Sequence, residues 1–325
     1  MKMTDTLTLI GDIGGTNARF ALVVPGDISY FNMKVMKCSD FNTIYEAIEF
    51  YLNEVDTKFL DRVFFAAASP ILEENIKITN NHWVIDKEVL RQKYNLRSVT
   101  VINDFKSIAN AMGHIEKSSF ESIGKIKLHH FSNADYNLAI IGPGTGLGGS
   151  GLIKSNGILI PSAAELGHIG FAPQNDLQID INKILKNKFN RVINESLLSG
   201  PGIENIYWAL HQLNTKEDKK LSAKEIFKAP SSNELAKQSV ELFFEILGQV
   251  AGDFVLALGA MDGLLLTGDI INHYPDILKN SKFRFGFENK GDYHSLMKII
   301  PTSLVTKSEM GLLGMLWFSI NDIAG

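Results

Sequence analysis

Two glycine-rich turns in the sequence have the residue types that hold phosphate groups. The first, at 11–17, reads GDIGGTN, and the second, at 142–149, reads GPGTGLGG. Glycine permits positive φ and carries no Cβ, so successive backbone N–H groups can point at one anion. Asp12 would repel a phosphate unless Mg²⁺ lay between them, while Arg19 adds a cation and the Thr145 hydroxyl a hydrogen-bond donor. The alternative at each turn is a hairpin whose glycines only satisfy backbone geometry.

The second turn matches G-x-G-x-x-G through Gly144, Gly146 and Gly149. That fingerprint requires a helix directly after the turn, but the segment 150–161, SGLIKSNGILIP, predicts a strand, a turn and a strand. This excludes a Rossmann site, and no G-x-x-x-x-G-K-[ST] motif is present. Two phosphate-type hairpins, one in each half of the chain, predict a nucleotide held between two lobes.

A third candidate is the pair Asn103 and Asp104, which closes the strand-like run VTVIND at 99–104. Ligands bind at strand ends in α/β folds. Asp104 could take a proton from a hydroxyl group while the Asn103 amide binds another hydroxyl. The alternative is that Asp104 is only the N-cap of the helix that follows.

Glu165 and His168 lie three residues apart in PSAAELGHIGFAP, on one side of a turn or helix start, and Glu195 lies in INESLLSGPG. A polyol is the ligand that such a polar set favours. A structural histidine and a helix-terminal glutamate are the alternatives. A zinc site is not expected, because the chain has a single cysteine, Cys38, and no H-E-x-x-H motif.

The elements that must position these residues alternate between strands and helices. Hairpins are predicted at 6–24 and 138–153, and a long helix at 234–261 in which Gly248, Gly252 and Gly259 indicate close packing. Asp86 is the predicted N-cap of a helix at 87–94. The remaining predictions are strands at 63–68, 82–85, 99–102 and 263–267, and helices at 41–52, 105–112, 179–186, 203–213, 222–227 and 309–320. The order indicates an α/β protein with mixed sheets and an intimate domain interface.

Composition excludes several classes of protein. The 325 residues predict two domains, and the balance of 32 Lys and Arg against 36 Asp and Glu, a net charge of −4, does not favour nucleic-acid or anionic-membrane binding. A single cysteine fits a reducing cytoplasm. Neither a signal peptide nor a membrane-spanning helix is predicted.

These motifs resemble those of bacterial glucokinases, in the actin, hexokinase and heat-shock ATPase superfamily. The resemblance covers nearly the whole chain and rests on seven motifs in their order: GDIGGTNARFAL from residue 11, TNNHW at 79–83, INDF at 102–105, GPGTGLG at 142–148, ELGHIGFAP at 165–173, LLSGPGIENIY at 197–207 and GLLG at 311–314. It implies a two-lobed actin-like (ribonuclease H-like) α/β fold with a cleft between the lobes, built from a small domain, 1–113 with 309–325, and a large domain, 114–308.

The resemblance also implies an ATP-dependent kinase that converts glucose to glucose 6-phosphate. Asp104 would be the base on the 6-hydroxyl, and Asp12 would face Mg²⁺. The sugar-binding residues would be Asn103, Asp104, Glu165, His168 and Glu195. The nucleotide-binding residues would be Gly11, Asp12, Ile13, Gly14, Gly15, Thr16, Asn17, Gly144, Thr145, Gly146 and Gly268, the last near adenosine. A cytoplasmic homodimer without nucleic-acid or membrane partners is implied.

Three positions depart from the family pattern. Asp269 follows Gly268 where a second glycine is usual, and Ala164 and Leu166 flank Glu165 where glycines are common. The single cysteine does not provide the zinc motif of a related group that contains both repressors and sugar kinases. Two alternatives therefore stay beside glucokinase: a kinase for mannose, glucosamine or N-acetylglucosamine, and a non-catalytic sugar sensor on the same fold.

Overall fold

The computed structural model describes residues 7–57, 59–71, 73–128, 135–215, 219–229 and 232–323. The chain divides into two compact units. The first unit comprises 1–115, 159–163 and 307–325, and the second comprises 116–158 and 164–306. Residue 6, where the first predicted hairpin begins, and residues 324–325 lie outside the described part.

The first unit is built on a five-stranded sheet with the order β3-β2-β1-β4-β7. Strands β1, β4 and β7 are parallel, whereas β2 and β3 continue the sheet through antiparallel pairings on the other side of β1. The strands of this unit are β1 (Leu7–Ile13), β2 (Asn17–Val23), β3 (Phe31–Lys37), β4 (Leu60–Ala67), β7 (Ser98–Asn103) and a separate hairpin of β5 (Asn75–Lys77) and β6 (Val84–Asp86). Its helices are α1 (Ile44–Glu54), α2 (Lys87–Lys93), α3 (Asp104–Met112) and α12 (Met310–Ile323).

Strand β1 is covered on both faces of this sheet. Leu9 belongs to a core that includes residues of α1 and α2, and Ile10 belongs to a core that includes Leu312 and Met315 of α12. Successive strand residues point to opposite faces, so an apolar run with both faces buried forms a central strand. Helix α12 thus packs on the sheet although nearly 300 residues separate it from β1.

A six-stranded sheet has the order β11-β10-β9-β12-β13-β8. Its strands are β8 (Phe120–Ile123), β9 (Tyr136–Pro143), β10 (Leu147–Ser155), β11 (Ile158–Ala164), β12 (Gly263–Leu266) and β13 (Thr302–Val305). Residues 159–163 of the edge strand β11 are grouped with the first unit, and the other five strands lie in the second unit. Its helices are α4 (Asp176–Lys188), α5 (Gly200–Asn214), α6 (Ala223–Phe227), α7 (Glu234–Leu258), α8 (Asp269–His273), α9 (Pro275–Asn280), α10 (Phe283–Glu288) and α11 (His294–Ile299). Strand β10 directly follows the second glycine turn, which confirms the exclusion of a Rossmann site.

Close packing explains two of the three glycines predicted to mark it in the long helix. A Cβ on Gly248 would collide with the Phe283 carbonyl of α10, and one on Gly252 would lie 2.7 Å from the Phe287 carbonyl oxygen. Helices α7 and α10 therefore approach each other to backbone contact. Gly259 has another role: it ends α7 at Leu258 in the left-handed conformation, with φ of 62°.

No helix in the described ranges is both long and apolar enough to cross a membrane.

Candidate active site

The first glycine turn connects β1 and β2, as predicted. Asp12 lies directly opposite Arg19 in this hairpin, and the Arg19 Nη1 atom donates to the Asp12 carboxylate at 3.3 Å. The start of α12 also approaches Asp12. A Cβ on Gly311 would lie 2.6 Å from Asp12 Cγ and 2.8 Å from each carboxylate oxygen. Asp12 is therefore bonded to a cation and packed against a helix position that has no room for a side chain.

Asn103 and Asp104 lie where β7 ends and α3 begins, and the alternative that Asp104 is the N-cap of this helix is wrong. The N-cap of α3 is Asn103, whose Oδ1 accepts from Lys106 N at 3.1 Å, and Asp104 is the first helical residue. The Asp104 Oδ1 atom accepts instead from Phe105 N at 2.9 Å. Asparagine and aspartate are equally good caps, so the sequence alone did not decide between these neighbours.

The Asn103 amide contributes to the fold with both of its ends. Its Oδ1 caps α3, and its Nδ2 donates to the Ser69 carbonyl at 3.3 Å. An amide has two donor hydrogens and two acceptor lone pairs, so one of each is left to bind a ligand. The two bonds fix the plane of the Asn103 amide and therefore the directions of its remaining donor and acceptor.

The parallel register of the sheet brings Asp12 and Asp104 to one edge. Ile13 pairs with Ala67, and Ala67 pairs with Asn103, so β1, β4 and β7 end at the same level. Adjacent strands are ~4.8 Å apart, which separates the ends of β1 and β7 by ~10 Å. The first unit thus presents a hairpin turn, a carboxylate beside a cation, and a second carboxylate along one edge of its sheet.

The second glycine turn connects β9 and β10 in the other unit. Gly144 N donates to Gly146 O at 2.8 Å, and Gly200 N, at the start of α5, donates to Gly144 O at 2.9 Å. Ser199 caps that helix by accepting from Gly202 N. The turn therefore lies at the N-terminus of a 15-residue helix, the end that favours anions.

Glu195 lies against this turn. Its Oε2 accepts from Leu147 N at 2.8 Å, and a Cβ on Gly146 would lie 2.5 Å from the same oxygen. A Cβ on Gly167 would lie 3.2 Å from it. Gly167 stands between Glu165 and His168 in the 3₁₀ turn that follows β11, so the fold places the segment that carries these two predicted polyol ligands beside the third, Glu195. Glu195 lies inside a 3₁₀ turn, Asn194–Ser196, rather than at the end of a long helix.

Two of the positions that depart from the family pattern have a structural account. Leu166 is buried and packs against Gly149, so it belongs to the core of the second unit. Gly268 has φ of 113°, and a Cβ there would lie 2.6 Å from the Pro143 carbonyl oxygen. The predicted adenosine turn therefore adjoins the second glycine turn, and Asp269 begins α8 beyond it.

A multi-ligand metal centre does not form in the described ranges, where no three His, Cys, Asp or Glu residues come together. Mg²⁺ needs no such cluster, because it is commonly bound through one or two carboxylates and substrate phosphates while keeping several waters. Asp12, beside a phosphate-type turn, fits that pattern.

Sequence reasoning missed the residues that support the turns. Gly311, Gly200 and Asn81 lie 299, 56 and 67 positions along the chain from the residues they contact, which are Asp12, Gly144 and Gly14. All three fall inside motifs that the resemblance used, namely GLLG, LLSGPGIENIY and TNNHW. The motifs were the only sign in the sequence that these residues matter. The contacts that they make could be found only from the folded structure.

Known proteins match this chain over nearly its full length. The glucokinase family model matches residues 9–321. A glucokinase from Caulobacter sp. is 37% identical over 311 residues, which cover 95% of this chain and 93% of that protein. The crystal structure of a glucokinase from an Antarctic psychrotroph superposes with a TM-score of 0.80 at 30% identity and covers 97% of this chain and 99% of the other.

A more distant structure shares the fold. A ROK family glucokinase from Streptomyces griseus, solved in complex with glucose and AMPPNP, has a TM-score of 0.61 at 17% identity and covers 95% of this chain and 98% of the other. The α/β architecture of mixed sheets flanked by helices is thus the actin-like ATPase fold of sugar kinases. With the family model, the curated relatives and the fold in agreement, the chain belongs to the glucokinase family.

Proposed function

We propose that the residues assembled in the two units carry out the activity that goes with this family, the ATP-dependent phosphorylation of glucose to glucose 6-phosphate. The observation that carries the assignment is the shared sheet edge: the phosphate-side carboxylate Asp12 lies next to the end of β1, the candidate base Asp104 directly follows β7, and the ends of these parallel strands are ~10 Å apart. Phosphoryl transfer depends mainly on positioning and charge stabilisation, and this edge provides both for one substrate pair.

In this assignment Asp104 accepts the proton of the 6-hydroxyl as the oxygen attacks the γ-phosphorus of ATP. The new bond joins O6 to phosphorus, the bond to the β-phosphate oxygen breaks, and ADP leaves. Asn103, Glu165, His168 and Glu195 bind sugar hydroxyls. Of these, Asn103 is pre-oriented by its two bonds to the backbone, and Glu195 by the bond from Leu147 N.

The glycine turns bind the phosphates of ATP. The nucleotide-binding residues in this assignment are Gly11, Asp12, Ile13, Gly14, Gly15, Thr16, Asn17, Gly144, Thr145, Gly146 and Gly268. Support for the nucleotide comes from the Streptomyces griseus relative, whose complex contains AMPPNP together with glucose. Asp12 would hold Mg²⁺, which when bound neutralises charge that develops on the phosphates. The Arg19 guanidinium restrains the Asp12 carboxylate through an ion pair at 3.3 Å.

The variant Asp104→Asn tests the role of the base. We expect kcat to fall by ~10²–10⁴, while the Kd for glucose measured by calorimetry stays within about threefold of wild type. Asp176→Asn, which removes the first-turn carboxylate of α4, is the matched control for the loss of a charge at a helix start. An Asp104→Asn enzyme with kcat near that of the control would remove Asp104 from the mechanism.

Three further assignments stay predictions. They are the functional domains 1–113 with 309–325 and 114–308, the homodimer, and the cytoplasmic location. Light scattering coupled to size-exclusion chromatography measures the mass in solution and so tests the homodimer. A hexose panel with ATP separates glucose from mannose, glucosamine and N-acetylglucosamine as the preferred acceptor.

A further inference from the structure

A short segment after β5, residues 79–81, packs against the first glycine turn. The Asn81 Nδ2 atom donates to the Gly14 carbonyl oxygen at 3.1 Å, and the Cys38 thiol contacts the same oxygen at 3.8 Å. A Cβ on Gly15 would lie 3.3 Å from Asn80. The turn therefore rests on residues 79–81, and one carbonyl of the turn receives the Asn81 side chain.

This segment is itself fixed to the sheet. Ala68 N donates to Ile13 O at 3.1 Å, and Thr79 N donates to Ala68 O at 2.9 Å, so the segment continues the hydrogen bonding from the end of β1 through the end of β4. The Asn81 Oδ1 atom accepts from Trp83 N at 3.0 Å. Trp83 is 1% exposed. The Asn81 side chain thus connects the backbone of the buried Trp83 to the glycine turn.

The direction of the Gly14 carbonyl determines the direction of the next N–H. The described peptide bonds are all trans, and in a planar trans peptide the C=O and N–H point to opposite sides. Because the Gly14 oxygen points toward Asn81, the Gly15 N–H points away from Asn81 and from the segment 79–81. An N–H with that fixed direction is the kind of donor that a phosphate-binding turn requires.

We propose that Asn81 is a positioning residue for ATP: by holding the Gly14 carbonyl it aims the Gly15 N–H at a phosphate oxygen. This inference rests on the proposed function, since it assumes that the turn binds phosphate. The second turn has the same arrangement, with a backbone donor in place of a side chain. Gly200 N donates to Gly144 O, and because the peptide is planar and trans, the Thr145 N–H points away from Gly200. In both turns an outside donor holds the carbonyl that precedes the candidate phosphate donor.

The variant Asn81→Asp separates the two bonds of this side chain. An aspartate keeps an acceptor for Trp83 N but replaces the donor to Gly14 with an oxygen that repels the carbonyl. We expect kcat/KM for ATP to fall by on the order of tenfold or more, the loss that goes with one hydrogen bond turned into a repulsion. The Tm should fall by no more than the loss of this one hydrogen bond requires. The Kd for glucose should stay close to wild type, although a merely structural role would change it.

Asn80→Asp is the matched control for charge. It puts a carboxylate on the neighbouring exposed residue, whose φ of 57° aspartate tolerates, and leaves the bond to Gly14 in place. Asn81→Ser is the neutral second variant if Asn81→Asp folds poorly: its hydroxyl can still accept from Trp83 N but is too short to reach Gly14. A fall in kcat/KM for ATP in both Asn81 variants, and not in Asn80→Asp, supports the proposal.

Equal effects of Asn80→Asp and Asn81→Asp, together with a silent Asn81→Ser, would overturn it. Gly15→Val then distinguishes this failure from failure of the proposed function. If Gly15→Val raises KM for ATP while the Asn81 variants do not, the turn binds ATP and only the role of Asn81 is wrong. If Gly15→Val also leaves KM for ATP unchanged, the turn is not the phosphate site and both assignments fall.

Discussion

Replacing Gly311 with alanine should move the Asp12 carboxylate. The new Cβ would lie 2.6–2.8 Å from the three carboxylate atoms, whereas non-bonded heavy atoms prefer ~3.5 Å, so about 0.7–0.9 Å of relative movement is required. The surroundings resist that movement: Arg19 bonds to the Asp12 carboxylate at 3.3 Å, and Ser107 and Asn110 of α3 donate to the Gly311 and Gly314 carbonyls at 2.7 and 3.1 Å. Helix α12 therefore cannot retreat without breaking bonds to α3.

A displacement of about 1 Å in a catalytic group reduces rates by up to ~10²-fold, so we expect kcat/KM for ATP in Gly311→Ala to fall by roughly 10- to 100-fold. Overpacking should lower the free energy of unfolding by ~1–3 kcal/mol. A coupled assay at varied ATP and Mg²⁺ measures the first effect and denaturant unfolding the second. The Kd for glucose provides a readout that displacement of Asp12 should leave unchanged.

A double-mutant cycle with Asp12→Asn distinguishes a local effect from general damage. If Gly311 acts through Asp12, then Gly311→Ala should reduce activity much less in the Asp12→Asn background than in wild type. Additive losses would show that the alanine acts elsewhere. A single Gly311→Ala variant with wild-type kcat/KM would refute the steric argument itself.

Three other predictions follow from the contacts. Gly146→Ala should raise KM for glucose roughly tenfold in steady-state assays, since its Cβ would lie 2.5 Å from the Glu195 carboxylate; an unchanged KM would count against this cluster as the sugar site. Gly248→Ala should lower the free energy of unfolding by ~1–3 kcal/mol or more, because its Cβ collides with the Phe283 carbonyl, and denaturant titration measures the loss. Burial lowers the pKa of His114 in the folded protein below its value of ~6.5 in the unfolded chain. As the pH decreases through ~6.5, the unfolded chain therefore takes up the proton before the folded protein does, and the free energy of unfolding decreases. His114→Phe should therefore show a smaller drop in Tm than wild type between about pH 7 and pH 5.5.

Local chemistry made much of the fold predictable. Both glycine hairpins form as predicted, and Asp86 caps α2 by accepting from Val89 N, because strand, turn and cap signals act over a few residues. Short elements with weak periodicity were missed. Strand β13 has four residues, all buried, and α9, α10 and α11 have six each, too few to show a helical period.

In the candidate site, too, the features encoded by neighbouring residues could be predicted, whereas those that depend on distant residues could not. Residue types and spacing identified the two turns, the Asn103–Asp104 pair and the Glu165–His168 pair. Whether Asn103 or Asp104 caps α3 depends on a one-residue difference in where the helix begins, and residue propensities do not resolve helix boundaries that finely. The supports at Gly311, Gly200 and Asn81 depend on long-range packing, and no pattern local to Asp12, Gly144 or Gly14 encodes them.

The chain segments of the first unit have a consequence for synthesis. Residues 1–115 leave the ribosome before the second unit, yet the first unit also needs 307–325, and α12 covers one face of its sheet. At ~5–20 residues per second, the ~190 residues between these segments delay completion by ~10–40 s. The second unit is fully synthesised during that interval. The first unit is therefore begun before the second unit and completed after it, and a chain cut short before α12 would lack the helix that packs against Asp12.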